Sequence, residues 1–379
     1  MIDIRIPWAQ PFVGDEEIAA VNRVMSEKRI SMGAEVRAFE NEVAAFVGRD
    51  HAVAVSNGTA AVELALGLLD IGRGDEVLVS ALSHIATTNA IVVRGATPVF
   101  CDIDPTSLNI DPDDVATRIG PATRALLISD YCGSAVDYDR LRQVATRNGV
   151  EVVLDGAQSL GTTWRGDPTC SLTTLATTSF HTAKALYCGE GGMVFTDDPA
   201  VAKRARGLRQ LGEVPGRKYV HQSLARNLRI TDLAAAIGRV QLARVDSIRA
   251  RRALISAWYA EALAPLSEVT TPRPLPECSP VWFSCPVLVP RRDRVADLLA
   301  DAGIETRSLY PVPAYRQPIP EYVAFSGEFR PHTESACARV LNLPLFGEMT
   351  EADVQEVVES LGEALSEARL HPEYSQPVT

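Results

Sequence analysis

An α/β fold with a mainly parallel sheet covered by helices is predicted from three observations. Short apolar runs recur between residues 52 and 154, a segment of helical periodicity separates each run from the next, and polar residues gather immediately after the runs. Parallel neighbours cannot be joined by a tight turn, so the helical segments read as the crossovers that such a sheet requires. Ligands of sheets of this kind collect at the carboxyl ends of the strands.

Each element follows from local sequence. Residues 1–14 read as an arm ending in Pro11 and Gly14, after which Asp15, Glu16 and Glu17 open a helix with apolar positions at Ile18, Val21, Val24 and Met25. The segment 29–33 breaks it. A second helix covers 34–46, with Val36, Phe39, Val43 and Phe46 on one face, and Gly48 ends it. Residues 52–55 form a buried strand, and Ser56-Asn57-Gly58-Thr59 turns at once into a helix over 60–69. Strands at 76–79, 98–101, 125–129 and 150–154 alternate with helices at 85–94, 112–119 and 138–148. The run 176–181 reads as a short polar segment, and a Gly-Glu-Gly-Gly turn at 189–192 leads into another apolar strand. Beyond Asp198 the pattern is helical, with long amphipathic stretches at 231–245 and 248–263. Pro272, Pro274, Pro276 and Pro280 mark a linker near 272–280 into a smaller C-terminal α/β domain. That domain carries a strand at 286–289, a helix at 295–302, a loop at 310–313 and a closing helix at 351–368, and the tail from 371 is expected to be loose. The division is an arm over 1–14, a large domain over 15–250 and a smaller domain over 251–379.

Composition excludes several classes of function. A formal net charge of -11, with no basic stripe to offset it, argues against a nucleic-acid surface, whose affinity rests on clustered Lys and Arg. The run Arg249, Arg251 and Arg252 lies in a helical pattern beside Asp246 and reads as a solvated face. Seven scattered cysteines without a C-x-x-C pair read as reduced thiols, neither a disulfide framework nor a metal site. No leader-like core and no uncharged run of membrane-crossing length is read in the sequence, so no membrane association and a cytoplasmic location are expected.

The chemistry centres on Lys184. Its neighbours are Ala183, Ala185 and Leu186, with Gly189, Gly191 and Gly192 close behind, and such a setting favours the neutral amine that attacks carbonyl carbon. Residues alone leave it open between that role and a plain loop lysine ahead of a hairpin. Asp155 follows the strand 150–154 and reads either as a turn residue or as a carboxylate presented at a strand tip. His84, after the strand 76–79, leaves a flat ring at the mouth of the sheet, and reads equally as a structural histidine. The turn at 56–59 offers unpartnered amides to an anion, or a plain helix cap by Asn57 or Thr59. An aldehyde-trapping lysine, a carboxylate, a flat ring and a phosphate cradle together form the set that pyridoxal phosphate needs.

The order and wording of the motifs then carry a resemblance. They are SMGAEVRAFE at 31–40, SNGTAAVELAL at 56–66, GDEVLV at 74–79, GATPVFCDID at 95–104, DGAQSLG at 155–161, SFHTAK at 179–184 and GEGGMVFTDD at 189–198. With these, the chain from about residue 6 to 361 resembles the DegT/DnrJ/EryC1/StrS family of pyridoxal-phosphate enzymes, best known as nucleotide-sugar aminotransferases.

The resemblance implies an aspartate-aminotransferase-like fold (pyridoxal-phosphate fold type I). It also implies that Lys184 is the Schiff-base lysine and proton carrier, that Asp155 holds the pyridinium nitrogen, that Gln158 reaches the phenolate oxygen, and that His84 stacks on the ring. Gly58, Thr59 and Ser179 are implied at the phosphate. Asn227, in ARNLRITD at 225–232, is implied to reach the phosphate of a neighbouring subunit, which makes the enzyme a homodimer with shared sites. The implied activity is ping-pong transamination from glutamate or glutamine to a keto-sugar, expected to be nucleotide-linked.

The chain also departs from the family. Many relatives carry asparagine where it has Ala185, histidines where it has Leu309 and Tyr315, and a histidine-containing segment where it has Val281-Trp282-Phe283-Ser284. All three places border the substrate side in relatives, so a keto-cyclitol aminotransferase stands as an alternative. A dehydratase or aromatising enzyme of the same family is a further one; Lys184 argues against the sugar dehydratases, which have histidine there. The intact Lys184 and Asp155 argue against a regulator or scaffold without activity.

Overall fold

The large sheet owes its two-sided core to strict alternation along short apolar strands. A computed structural model describes residues 4–214, 216–325 and 327–370; the tail expected to be loose lies outside the described residues. The chain runs α1 (Asp15–Glu27), α2 (Ala34–Phe46), β1 (His51–Val55), α3 (Gly58–Leu68), β2 (Glu76–Ser80), α4 (Ile85–Val93), β3 (Thr97–Cys101), α5 (Pro112–Arg118), β4 (Thr123–Ser129), α6 (Tyr138–Asn148), β5 (Glu151–Asp155), β6 (Leu175–Ser179), β7 (Gly192–Thr196) and α7 (Pro199–Arg209). These strands form one sheet in the order β1-β7-β6-β5-β4-β2-β3. All neighbours are parallel except β7, which is antiparallel to both β6 and β1. Leu78, Leu126, Ile128, Val152 and Leu154 point into one core with α2 and α6. Val77, Val79, Leu127 and Val153, one residue out of phase, point into the other with α3.

The other principal elements are α8 (Asp232–Ala243), α9 (Val245–Leu263), β8 (Cys285–Leu288), α10 (Arg292–Asp301), α11 (Pro331–Arg339), β9 (Val340–Leu343) and α12 (Glu351–Leu370). A separate core joins α9, the antiparallel pair β8–β9, α10 and α12 through Ile255, Tyr259, Val287, Leu299, Leu341 and Leu361. Among the described residues no helix is long and apolar enough to cross a membrane.

The structure differs from the sequence expectations in four places, one of them Arg252, read as part of a solvated face but buried where its guanidinium donates to the carbonyls of Trp282 and Phe283. Leu175–Ser179, read as a polar segment, is a fully buried strand. Its hydroxyls make this possible: Thr177 Oγ1 donates to Leu154 O and Thr178 Oγ1 to Gly156 O, each at 3.1 Å. The helix α11 and strand β9 were not anticipated. In α1 the apolar positions Ile18 and Met25 are exposed while Glu17 is buried, because Gln241 Nε2 donates to Glu17 at 2.7 Å and Arg244 pairs with it.

Candidate active site

A cavity of about 260 Å³ opens where β2, β4, β5 and β6 end, and Gly58, Thr59, His84, Asp155, Gln158, Ser179 and Lys184 all line it. Asn227 does not.

One end is the start of α3. Asn57 stands in extended backbone and caps the helix, its Oδ1 accepting from Ala60 N at 2.8 Å. Capping leaves the earlier amides, those of Gly58 and Thr59, without helical partners. A Cβ at Gly58 would stand 2.7 Å from Ser179 Cβ, so glycine is what lets the helix start approach the Ser179 hydroxyl. Amides, a hydroxyl and the positive end of a helix dipole therefore converge, which is an anion-binding arrangement.

Asp155, the last residue of β5, is buried. Its Oδ2 accepts from Thr87 Oγ1 at 2.7 Å and its Oδ1 from Ala157 N at 3.3 Å. The carboxylate is thus part of the strand itself and is oriented by a hydroxyl on α4. His84 is both cap and wall: its Nδ1 accepts from Ala86 N at 3.1 Å, and its ring lies 6.0 Å from Tyr310 in an edge-on contact. Burial, then the neighbouring Lys184 charge, lower its pKa, which keeps the imidazole neutral and its capping lone pair free. Gln158 accepts from Cys132 N at 2.8 Å through Oε1 and donates through Nε2 to the Tyr310 hydroxyl. Tyr310 holds this position with φ at +59°, a left-handed conformation that costs a tyrosine about 1–3 kcal/mol.

Lys184 lies in the connection between β6 and β7, its amide donating to His181 O at 2.8 Å. Its Nζ sits 4.3 Å from the centroid of the Phe283 ring. Burial pushes its pKa down to about 8, opposed by the negative charge of Asp155 and by Cys132. The lysine also lines a second cavity.

Thr87 and Tyr131 belong to this neighbourhood and were not singled out in the sequence, whereas Phe283 comes from the departing segment 281–284 and Tyr310 from the loop at 310–313 noted there. Thr87 and Tyr131 each follow a strand end closely, which was the available signal; Phe283 and Tyr310 arrive from distant segments. Of the departures noted above, Tyr315 is fully buried, its hydroxyl donating to Glu334 at 2.7 Å, and Leu309 packs against the cluster around Leu82; neither lines the cavity. Asn227 is exposed, its Oδ1 accepting from Arg229 N at 3.3 Å, while Thr231 caps α8 and Arg226 pairs with Glu63.

Comparison with known proteins adds the family. The model of the DegT/DnrJ/EryC1/StrS aminotransferase family matches residues 11–362. The chain is 36% identical over 370 residues to the dTDP-3-amino-3,4,6-trideoxy-alpha-D-glucose transaminase of Streptomyces venezuelae, covering 95% of this chain and 96% of that one. It is 36% identical over 368 residues to the GDP-perosamine synthase of Caulobacter vibrioides, covering 95% and 98%. Among solved structures, S. venezuelae DesV in complex with a ketimine intermediate superposes with a TM-score of 0.89 at 36% identity, covering 95% of this chain and 98% of that one.

Proposed function

The chain belongs to the DegT/DnrJ/EryC1/StrS aminotransferase family and is a transaminase; from that premise we propose that it carries an amino group from glutamate or glutamine to a keto-sugar in a ping-pong cycle, with pyridoxal 5′-phosphate as cofactor. The observation that carries this reading is one cavity uniting a lysine with a lowered pKa, a buried carboxylate fixed by Thr87, and a helix start that meets a serine hydroxyl. These groups fit the cofactor's aldehyde, ring nitrogen and phosphate respectively.

When bound, the cofactor supplies an aldehyde and an electron-accepting ring. Lys184 would hold it through Nζ, and the same Nζ, when free, would carry the proton at the amino donor's α-carbon. Asp155 keeps the ring nitrogen protonated, and Thr87 prevents the carboxylate from turning away. Gln158 offers its amide to the ring hydroxyl, and His84 supplies a flat wall. Gly58, Thr59 and Ser179 hold the phosphate, joined by Asn227 of the partner subunit in a homodimer with shared sites. The relatives named for dTDP- and GDP-linked sugars favour a nucleotide-linked acceptor here. A keto-cyclitol acceptor is the second reading, kept open because Phe283, beside Lys184, belongs to the segment 281–284 in which this chain departs from the family.

The test has two parts. Borohydride reduction of the yellow protein is expected to leave the cofactor on the peptide containing Lys184, and Lys184→Ala is expected to carry no label. The pyridoxamine form is then offered a panel of keto-sugars and keto-cyclitols. Labelling elsewhere, or no turnover of any keto-sugar, overturns the reading.

A further inference from the structure

Just beyond the end of β4, Cys132 takes up a left-handed backbone conformation with φ at +52°, a region that a residue bearing a Cβ ordinarily avoids. The next residue, Gly133 at φ +91°, has no room for a side chain, since a Cβ there would stand 2.0 Å from Val281 O. The backbone at 132–133 is therefore pressed against the segment 281–284. Every polar group of Cys132 is engaged. Its amide donates to Gln158 Oε1 at 2.8 Å, and its carbonyl accepts from Phe283 N at 2.9 Å. Its thiol meets Ser284 Oγ and Asn342 Nδ2, each at 3.4 Å, and Asn342 Nδ2 also donates to Ser284 Oγ at 2.9 Å. Cys132, Ser284 and Asn342 are all buried. Asn342, on β9, accepts from Leu309 N at 3.3 Å and so holds the residue before Tyr310. One residue thus joins the groups on two sides of the reacting centre: Gln158 with its partner Tyr310, and Phe283, whose ring lies under the Lys184 amine.

We propose that Cys132 is a positioning residue for the transamination, its thiol pinned by Ser284 and Asn342 so that its backbone sets Gln158 and the Phe283 ring in place around Lys184. The inference rests on the reading of the first cavity as the cofactor site. Burial lifts the thiol to about 11, so it stays protonated and acts as a hydrogen-bonding group, without the nucleophilicity of a thiolate. The amide and carbonyl of Cys132 point at Gln158 and Phe283 only while its φ and ψ are held, and a non-glycine residue keeps a left-handed conformation only where its surroundings over-determine it. The contacts of the sulfur supply that constraint. Without them the peptide is free to turn, the Gln158 amide turns with it, and the Phe283 ring is released from the lysine. The titratable groups that face Lys184 are Asp155, His84 and Cys132 itself.

The pH midpoint for capture of added pyridoxal phosphate by the apoenzyme, read by visible absorbance, tests this together with kcat and KM for the amino donor. In Cys132→Ala the midpoint is expected to move to lower pH by at least about 0.3, because the ring no longer favours the ammonium form. Its kcat is expected to fall at least about tenfold while KM for the donor stays within about twofold, the pattern of a misplaced reacting group. Cys132→Ser keeps a side chain that accepts from Asn342 and meets Ser284, and is expected to recover most of both losses. Ser284→Ala removes one of the two groups that hold the sulfur and leaves the sulfur itself in place; a smaller shift of the midpoint in the same direction is expected, which covers the case in which Cys132→Ala fails to fold. A residue that only fills space moves the urea-unfolding midpoint and leaves the pH midpoint alone. An unchanged pH midpoint in a folded Cys132→Ala or in Ser284→Ala, or a Cys132→Ser no better than Cys132→Ala, overturns the proposal. If Lys184 takes the borohydride label and the pH midpoint stays put in these variants, only this inference falls; if Lys184 takes no label, the cofactor reading beneath it falls.

Discussion

The amine of Lys184 stands over the face of the Phe283 ring, 4.3 Å from its centroid, although the two residues lie far apart in the sequence. The face of an aromatic ring is its negative side, so this contact favours the ammonium form and offsets part of the burial that brings the lysine to about 8. Phe283→Leu removes the ring and keeps apolar volume. The pKa of Lys184 is expected to fall further, by up to about one unit for a contact of roughly 1 kcal/mol. The pH midpoint for capture of added pyridoxal phosphate by the apoenzyme, followed by its visible absorbance, moves to lower pH accordingly. A midpoint that stays put or rises contradicts the contact's assigned effect.

In the unaltered protein the same experiment has a fixed sign. The lysine's pKa is lowered, so the reactive neutral amine is absent well below pH 8, grows through that value and is complete above it. Cofactor capture is expected to accelerate from pH 6 to about 8 and then level off. A rate still climbing at pH 10 means that Lys184 has the pKa of an ordinary exposed lysine.

Thr87→Val leaves Oδ2 of Asp155 without its 2.7 Å donor in a buried setting. The apoprotein is expected to lose about 1–3 kcal/mol of stability in urea unfolding. Asp155→Ala removes the partner proposed for the ring nitrogen, and turnover is expected to fall by several orders of magnitude at saturating cofactor. Near-native turnover in that variant ends the assignment.

Gly58→Ala separates helix propensity from cofactor fit. Alanine is favoured over glycine within a helix by about 1 kcal/mol, yet its Cβ meets Ser179 Cβ at 2.7 Å. Equilibrium dialysis is expected to show pyridoxal phosphate bound at least about tenfold more weakly, a cost near 1.4 kcal/mol. In the double variant with Ser179→Gly the steric conflict is relieved but the hydroxyl assigned to the phosphate is lost, so affinity is expected to stay low.

Asn227 is exposed and lies off the cavity of its own chain. In mixed dimers of Asn227→Asp and Lys184→Ala, both inactive alone, a residue acting across the interface puts both defects in one site and leaves the other intact. Activity is expected to return in the mixture. Mixed dimers as inactive as their parents remove the shared site.

Much of this was legible in the chain because it is written at short range. The alternation from His51 to Asp155 repeats every few residues, and α2 and α6 have the boundaries that their periodicity predicts. The buried strand β6 was hidden because three hydroxyl residues in a row look like surface until their partners, Leu154 O and Gly156 O, are in place. The partners of the site residues were hidden for a related reason. Thr87 reaches Asp155 only once the sheet is assembled, Phe283 reaches Lys184 and Tyr310 reaches Gln158 only once distant segments have met it, and no spacing in the sequence encodes those distances.

The lone antiparallel strand β7 bears on when the site comes into being during synthesis. β1 has no other partner in the sheet, and its pairing joins His51 to Thr196, so the first strand made waits for the last. Gly192 enters against the Asn57 carbonyl, where a Cβ would stand 2.3 Å away, and Phe180 and Gly191 bond to close the Lys184 loop. One late, long-range closure therefore seats the Asn57-Gly58 turn and the lysine together, the kind of contact that forms slowly. A nascent chain halted before Thr196 is expected to carry the lysine without a cup for the phosphate, and pyridoxal phosphate added during refolding is expected to act as a trap that draws the chain through this final step.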